Sequence, residues 1–159
     1  MRFLFLFLVS LIFPEIACAD ARPQDPPPVA LPPEDRMAHG LGQGADIASK
    51  LNYLRYKAEV RVLDVDDTLT CAAVLHAAFL AHMKNVCVEA GEMGLATRLQ
   101  ACGATLSSKQ VVACGYKNID AALGALDASA PHRKYLYDPD LKRIGATMID
   151  NQWVIVMGY

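Results

Sequence analysis

No run of lysine or arginine occurs in this chain of 159 residues: its 15 basic side chains are scattered among 17 acidic ones, for a formal net charge of −2. A nucleic-acid partner needs a concentrated positive surface to displace counterions from phosphates, so the composition argues against one. After the first 19 residues no apolar stretch approaches the roughly 20 residues that a membrane-spanning helix requires, so no span is expected in the mature chain. The cysteines include no C-x-x-C pair, which speaks against a zinc site. Ser107 and Ser108 lack a glycine elbow, and no cysteine carries a signature of activation, so the sequence contains no self-sufficient nucleophile. Strand and helix patterns do not alternate regularly, which gives a doubly wound parallel sheet no support.

What is present begins with Arg2, the apolar run Phe3 to Phe13, and a small-x-small pattern at Ala17 and Ala19. Residues 1–19 read as a secretory signal peptide, and the protein is expected to be secreted or periplasmic. Residues 20–44 are rich in Pro, Gly and charged side chains, including Pro26 to Pro28 and Pro32-Pro33, and read as a flexible tether. Residues 45–159 form the expected domain. It keeps Cys71, Cys87, Cys102 and Cys114, an even number in an exported chain, from which one or two disulfides with three possible full pairings are expected.

Within that domain Ile47, Leu51, Leu54 and Ala58 recur at helical spacing from Asp46. Val60 to Val65 is extended, and Asp66, Asp67 or Thr68 can cap a long helix whose apolar residues, from Leu69 to Met83, are so broadly distributed that it must be largely buried. Leu95–Ala101 predicts two helical turns ending at Gly103. Residues 104–109 read as a polar loop, Val111–Gly115 as a short strand or buried connector, and Ile119–Leu126 as a helix. Ser129 and Pro131 open a short helix carrying His132. Arg143–Ile149 and Gln152–Met157 flank Asp150-Asn151 as an antiparallel hairpin. Helices followed by a hairpin make the class α+β.

Two candidate chemistries follow from the residues. Asp64-Val-Asp66-Asp67-Thr68 after an apolar stretch resembles the first motif of haloacid-dehalogenase-like phosphatases, in which the first Asp is a nucleophile and the second an acid/base. The competing reading is that Asp66 and Asp67 cap the long helix and complement its dipole. His132 beside a helix N-terminus is a candidate metal ligand or general base. His76 falls on the buried face of the long helix, whereas His82 reads as solvated and His39 lies in the tether.

Taken in order, several pieces resemble the CAP superfamily, also called SCP-like, of cysteine-rich secretory, antigen and pathogenesis-related proteins. They are Leu51-Asn52 with Arg55, Leu63 and Leu69, Ala73 with His76-Ala77 and Met83, and Arg98-Leu99 with Gly103. They continue with Val112-Ala113 and Gly115-Tyr116, Ser129 with Pro131-His132-Arg133, Leu136 with Asp138-Pro139, Ile144-Gly145, and Trp153-Val154 with Gly158. The resemblance implies an α-β-α sandwich with a central antiparallel sheet and a surface cleft, which in ion-binding members carries two histidines and two acids. His132 matches the second histidine. The first has no counterpart between Asn85 and Gly91, and Gln110 stands where the family's Glu would be. Glu89 and Glu92 remain open as cleft acids. A neutral amide cannot supply the charge a divalent cation wants. The metal site is therefore expected to be degraded, with no cofactor, and the cleft to comprise His132, Gln110 and Ser129. The expected function is binding of a small apolar ligand, an envelope component or a protein partner. The alternatives are a divergent hydrolase using His132 and the phosphatase on Asp64 and Asp66.

Overall fold

The computed structural model describes residues 34–83, 86–88 and 93–159, with side chains from residue 43 onward. The expected signal peptide, the tether as far as residue 33, the side chain of His39, and Asn85, Glu89 and Glu92 lie outside the described residues.

The first helix, α1 (Glu34–Lys57), starts earlier than its periodicity suggests, and residues 34–44, expected as tether, are helical. Glu34, Arg36, Met37, Ala38 and Leu41 favour a helix, which a reading of Gly40, Gly42 and Gly44 as linker undervalued. Gly44 also serves packing: a Cβ there would lie 2.3 Å from the Ala146 carbonyl oxygen. The helix lets the chain approach the sheet at that point because no side chain intervenes.

After α1 come β1 (Asp64–Val65), α2 (Asp67–Met83), α3 (Leu95–Ala101), β2 (Ser108–Cys114), α4 (Ile119–Ala128), α5 (Ala130–Leu136), β3 (Arg143–Ile149) and β4 (Gln152–Gly158). The strand order is β1-β3-β4-β2. β2, β4 and β3 are antiparallel, as expected, with β4 in the middle, whereas β1 adds a two-residue parallel pairing to β3. The extended reading of residues 60–65 thus becomes a strand only at its end, and the polar loop expected to Lys109 gives way to strand at Ser108. The β3–β4 hairpin turns through Asp150 (φ 50°) and Asn151 (φ 61°), two residue types that tolerate the left-handed region better than most.

Alternation along the strands splits the apolar side chains into two cores. Val111, Ala113, Ile144, Ala146, Trp153, Ile155 and Met157 face α1, α4 and α5, which contribute Ile47, Leu51, Ala122, Leu123, Leu126 and Leu136. Val112, Ile149, Val154 and Val156 face α2 and α3, with Leu69, Ala73, Leu80 and Leu99. Helices therefore cover both faces of one sheet, an α-β-α sandwich whose α2 is buried along most of its length. His76 is buried within α2 and His82 is exposed, as their positions on the helical wheel imply.

Both disulfides are present. Cys71–Cys102 joins α2 to the end of α3, and Cys87–Cys114 joins the stretch at residues 86–88 to the end of β2. Each closes a loop of about 30 residues, worth roughly 3–4 kcal/mol by chain entropy alone.

Candidate functional site

Helix α5 follows α4 almost without a break, since Ser129 is both the C-cap of α4 and the N-cap of α5. Its hydroxyl does not cap the backbone. Instead Ser129 Oγ lies 2.9 Å from His132 Nδ1, three residues on and so on the same side of the first turn. His132 is half-buried. The same helix continues with Tyr135, whose ring lies 5.6 Å beneath the ammonium of Lys109 from β2, and ends at the buried Leu136.

Arg55 fixes the far end of α5. It is fully buried, and its three guanidinium nitrogens each donate to a carbonyl: Nε to Arg61 O (2.7 Å), Nη1 to Leu136 O (2.5 Å) and Nη2 to Asp138 O (3.0 Å). Burial lowers the pKa of Arg55 and the nearby Asp138 raises it back in part. One side chain of α1 therefore satisfies carbonyls that the end of α5 leaves without helical partners, and holds that helix in place.

Gln110 is directed elsewhere. It pairs across the sheet with Val156, which belongs to the α2/α3 core, so its side chain emerges on the face opposite α5. There Gln110 Oε1 accepts from Arg98 Nη2 at 2.7 Å. Arg98, in α3, is 2% exposed and also donates through Nη1 to the Met93 carbonyl; burial lowers its pKa to about 10, so it stays charged at neutral pH. Beside it His76 is 1% exposed, stacks on Phe79 at 6.1 Å, and places Nε2 2.8 Å from the Val88 carbonyl. Its pKa is depressed to about 4, first by burial and then by the charge of Arg98, with the bond to Val88 acting the other way. The structure thus brings Ser129 to His132 on one face and gathers Gln110, Arg98 and His76 on the other. Among the described residues no three His, Cys, Asp or Glu side chains converge as a cation site requires.

The phosphatase reading is corrected. Asp66 Oδ1 accepts from Thr68 N (2.9 Å), Thr68 Oγ1 (2.5 Å) and Leu69 N (3.2 Å), while Oδ2 accepts from Arg143 Nη1 (2.8 Å). Burial alone would raise its pKa, but these bonds outweigh it and hold the carboxylate at about 2. Asp66 is the cap of α2, and Asp64 is exposed, 3.8 Å from Arg61. The largely antiparallel sheet is not the doubly wound one that this chemistry uses.

Sequence reasoning placed Arg55, Asn52 and Arg98 only as matching positions and gave them no task. For Arg98 the available signal was an Arg on a helix with no acid at helical spacing, since such a group must find its acceptors far along the chain.

No family model matches the chain, and no curated protein does. Solved structures do. An extracellular protein containing an SCP domain from Bacillus anthracis str. Ames superposes with a TM-score of 0.71 at 20% identity, over 81% of this chain and 44% of that one. A cysteine-rich secretory protein from Staphylococcus aureus gives 0.65 at 17% identity, over 75% of this chain and 38% of that one. An outer surface protein from Borrelia burgdorferi gives 0.63 at 22% identity, over 72% of this chain and 90% of that one. The chain spans less than half the length of the first two. Its fold is the SCP (CAP) fold.

Proposed function

We propose that this SCP-fold chain is an exported protein that acts by binding rather than by catalysis, its ligand being a small apolar molecule, an envelope component or a protein. One observation carries the reading: where the resemblance calls for a cleft glutamate, Gln110 presents an amide oxygen to the buried guanidinium of Arg98, on the sheet face opposite the helix of His132. A neutral amide already accepting from a cation is a poor partner for a second cation. The two disulfides suit an oxidising compartment, and the similar structures come from extracellular or outer-surface proteins.

Calorimetry of the oxidised chain with Zn²⁺ tests the claim that no metal centre operates. The expected trace shows no submicromolar binding. Submicromolar binding that disappears in His132→Ala would overturn it.

The hydrogen bond between Ser129 and His132 favours one second reading, a divergent hydrolase that uses His132. Ester or peptide hydrolysis by the purified chain that falls at least a hundredfold in His132→Ala would establish that reading against the first.

A further inference from the structure

The two disulfides hold their sulfurs in unlike settings. Cys71 lies within α2 between the buried Thr70 and Ala72. Cys102 caps α3, with its N–H bonded to Arg98 O (3.0 Å) and Leu99 O (3.1 Å). Both elements pack on the sheet through the α2/α3 core, so an opened Cys71–Cys102 bridge leaves two thiols facing each other at high effective concentration, ready to reclose. Cys87 differs. It is exposed, in a stretch at residues 86–88 that is neither helix nor strand, and its partner Cys114 is the last residue of β2. Once opened, that bridge has only one sulfur on a packed element. Exposure and a low reclosure concentration both make a disulfide easier to reduce.

The residue after Cys87 is itself exposed, but its backbone meets a buried ring. Val88 offers its carbonyl to His76 Nε2 at 2.8 Å, while the other ring nitrogen, Nδ1, is buried with no hydrogen-bond partner among the described residues. A buried imidazole with one nitrogen unsatisfied is costly to keep dry, and a covalent anchor one residue from its acceptor offsets that cost. The charged group that bears on the ring is Arg98 of α3, and Phe79 of its own helix stacks on it.

We infer that Cys87–Cys114 is a reducible bond whose state determines whether His76 is sealed from water. The reductant is a dithiol. Its first thiolate attacks the sulfur of Cys87, the exposed residue of the pair, and displaces Cys114 as a thiolate, which takes up a proton. Its second thiolate then attacks the reductant's own sulfur in the mixed disulfide, releases Cys87 as a thiolate that takes up a proton in turn, and leaves the reductant as a cyclic disulfide. With Cys87 released, the Val88 carbonyl is no longer anchored on His76, and water reaches both ring nitrogens. The inference does not depend on the binding reading, because it concerns a disulfide and a buried ring and involves no ligand.

The test is graded reduction of the native chain with dithiothreitol, trapping of thiols by alkylation, peptide mapping by mass spectrometry, far-UV circular dichroism, and NMR titration of the His76 ring. Cys87 and Cys114 should be alkylated at a reductant concentration at least tenfold below that needed for Cys71 and Cys102, with the dichroism spectrum retained. In that form His76 should titrate at least one pH unit higher than in the oxidised chain. Opening of both bridges together, opening of Cys71–Cys102 first, loss of fold on selective reduction, or an unmoved His76 titration would each overturn the inference. The double variant Cys87→Ser with Cys114→Ser provides the same readout without reductant: it should fold and show the raised His76 titration, and failure of either overturns the proposal.

Discussion

Asn52 in α1 grips both backbone groups of Leu63, its Nδ2 donating to Leu63 O and its Oδ1 accepting from Leu63 N, each at 2.8 Å. The N–H groups of Asp64 and Asp66 point inward to Lys142 O and Ile144 O of the neighbouring chain segment, so the groups of Leu63 point outward, along the open edge of the sheet. The side-chain amide occupies that edge in place of another strand. Exposed strand edges invite pairing between molecules, and proteins block them by such devices. Asn52→Ala should therefore do two things at once: lower unfolding free energy by about 1–3 kcal/mol through the two lost bonds, and raise concentration-dependent association. Urea denaturation measures the first and sedimentation velocity the second. Loss of stability without association would show that Asn52 anchors residue 63 but does not guard the edge.

Arg55 makes a sharper demand on side-chain chemistry. Its fork reaches Arg61 O, Leu136 O and Asp138 O, which belong to two separate segments. Arg55→Lys keeps the charge but loses the planar fork, leaving at least one buried carbonyl without a donor. The expected loss is about 2–4 kcal/mol for Lys, and similar or greater for Met, in denaturant unfolding. A Lys variant as stable as the parent would mean that charge, not the fork, holds α5.

Much of this arrangement was readable from the sequence wherever local rules decide the outcome. The width of the apolar face of α2 announced its burial, Asp150-Asn151 announced the hairpin, and Ser129 with His132 lie close because they are three residues apart at one helix start. The pairing of Cys71 with Cys102 and of Cys87 with Cys114 was not readable, since four cysteines allow three pairings and only the packing of α2 and α3 on the sheet selects one. The face chosen by Gln110 depended on the register of β2 against β4, and the helical start at Glu34 on α1 being long enough to set Gly44 against Ala146. Both are tertiary facts with no local signature.

Two groups give the stability a defined pH dependence. His76 has a folded pKa of about 4 against an ordinary 6.5, so the unfolded chain binds its proton first on acidification. Its contribution is complete above about pH 6.5 and is lost as pH falls through 4, on the order of 3 kcal/mol in all. Asp66 follows in a lower window: held at about 2 against an ordinary 3.8, it contributes fully above about pH 4, and on the order of 2 kcal/mol is lost as pH falls through 2. Urea unfolding of the parent and of His76→Gln at pH 7.5, 5.5, 4 and 2.5 separates the two. The stability difference between the two proteins should change between pH 7.5 and 4 and stay constant below. Arg143→Ala, which removes one donor to Asp66, should instead alter only the slope below pH 4. A parent curve flat from pH 7.5 to 4 would contradict the burial of His76 as the source.

A single methyl at the centre of the sandwich should cost about as much as the loss of the Arg55 fork. A Cβ on Gly145 in β3 would lie 2.0 Å from Thr70 N and 2.1 Å from Leu69 C, both backbone atoms of the first turn of α2. No rotamer relieves such a clash, because the obstacle is main chain. The helix start would have to retreat from the sheet, and the Asp66 cap with its bond from Arg143 sits at that same turn. Overpacking of a well-filled core costs typically about 1–3 kcal/mol, and here the loss of the cap adds about 1 kcal/mol more. Gly145→Ala is therefore expected to lower unfolding free energy by about 2–4 kcal/mol. In the same assay Gly124→Ala, on α4 with no atom within 4 Å of the new methyl, should be neutral or stabilising by up to about 1 kcal/mol. Equal effects at the two positions would mean that α2 does not rest on β3 at Gly145 as closely as the backbone distances require.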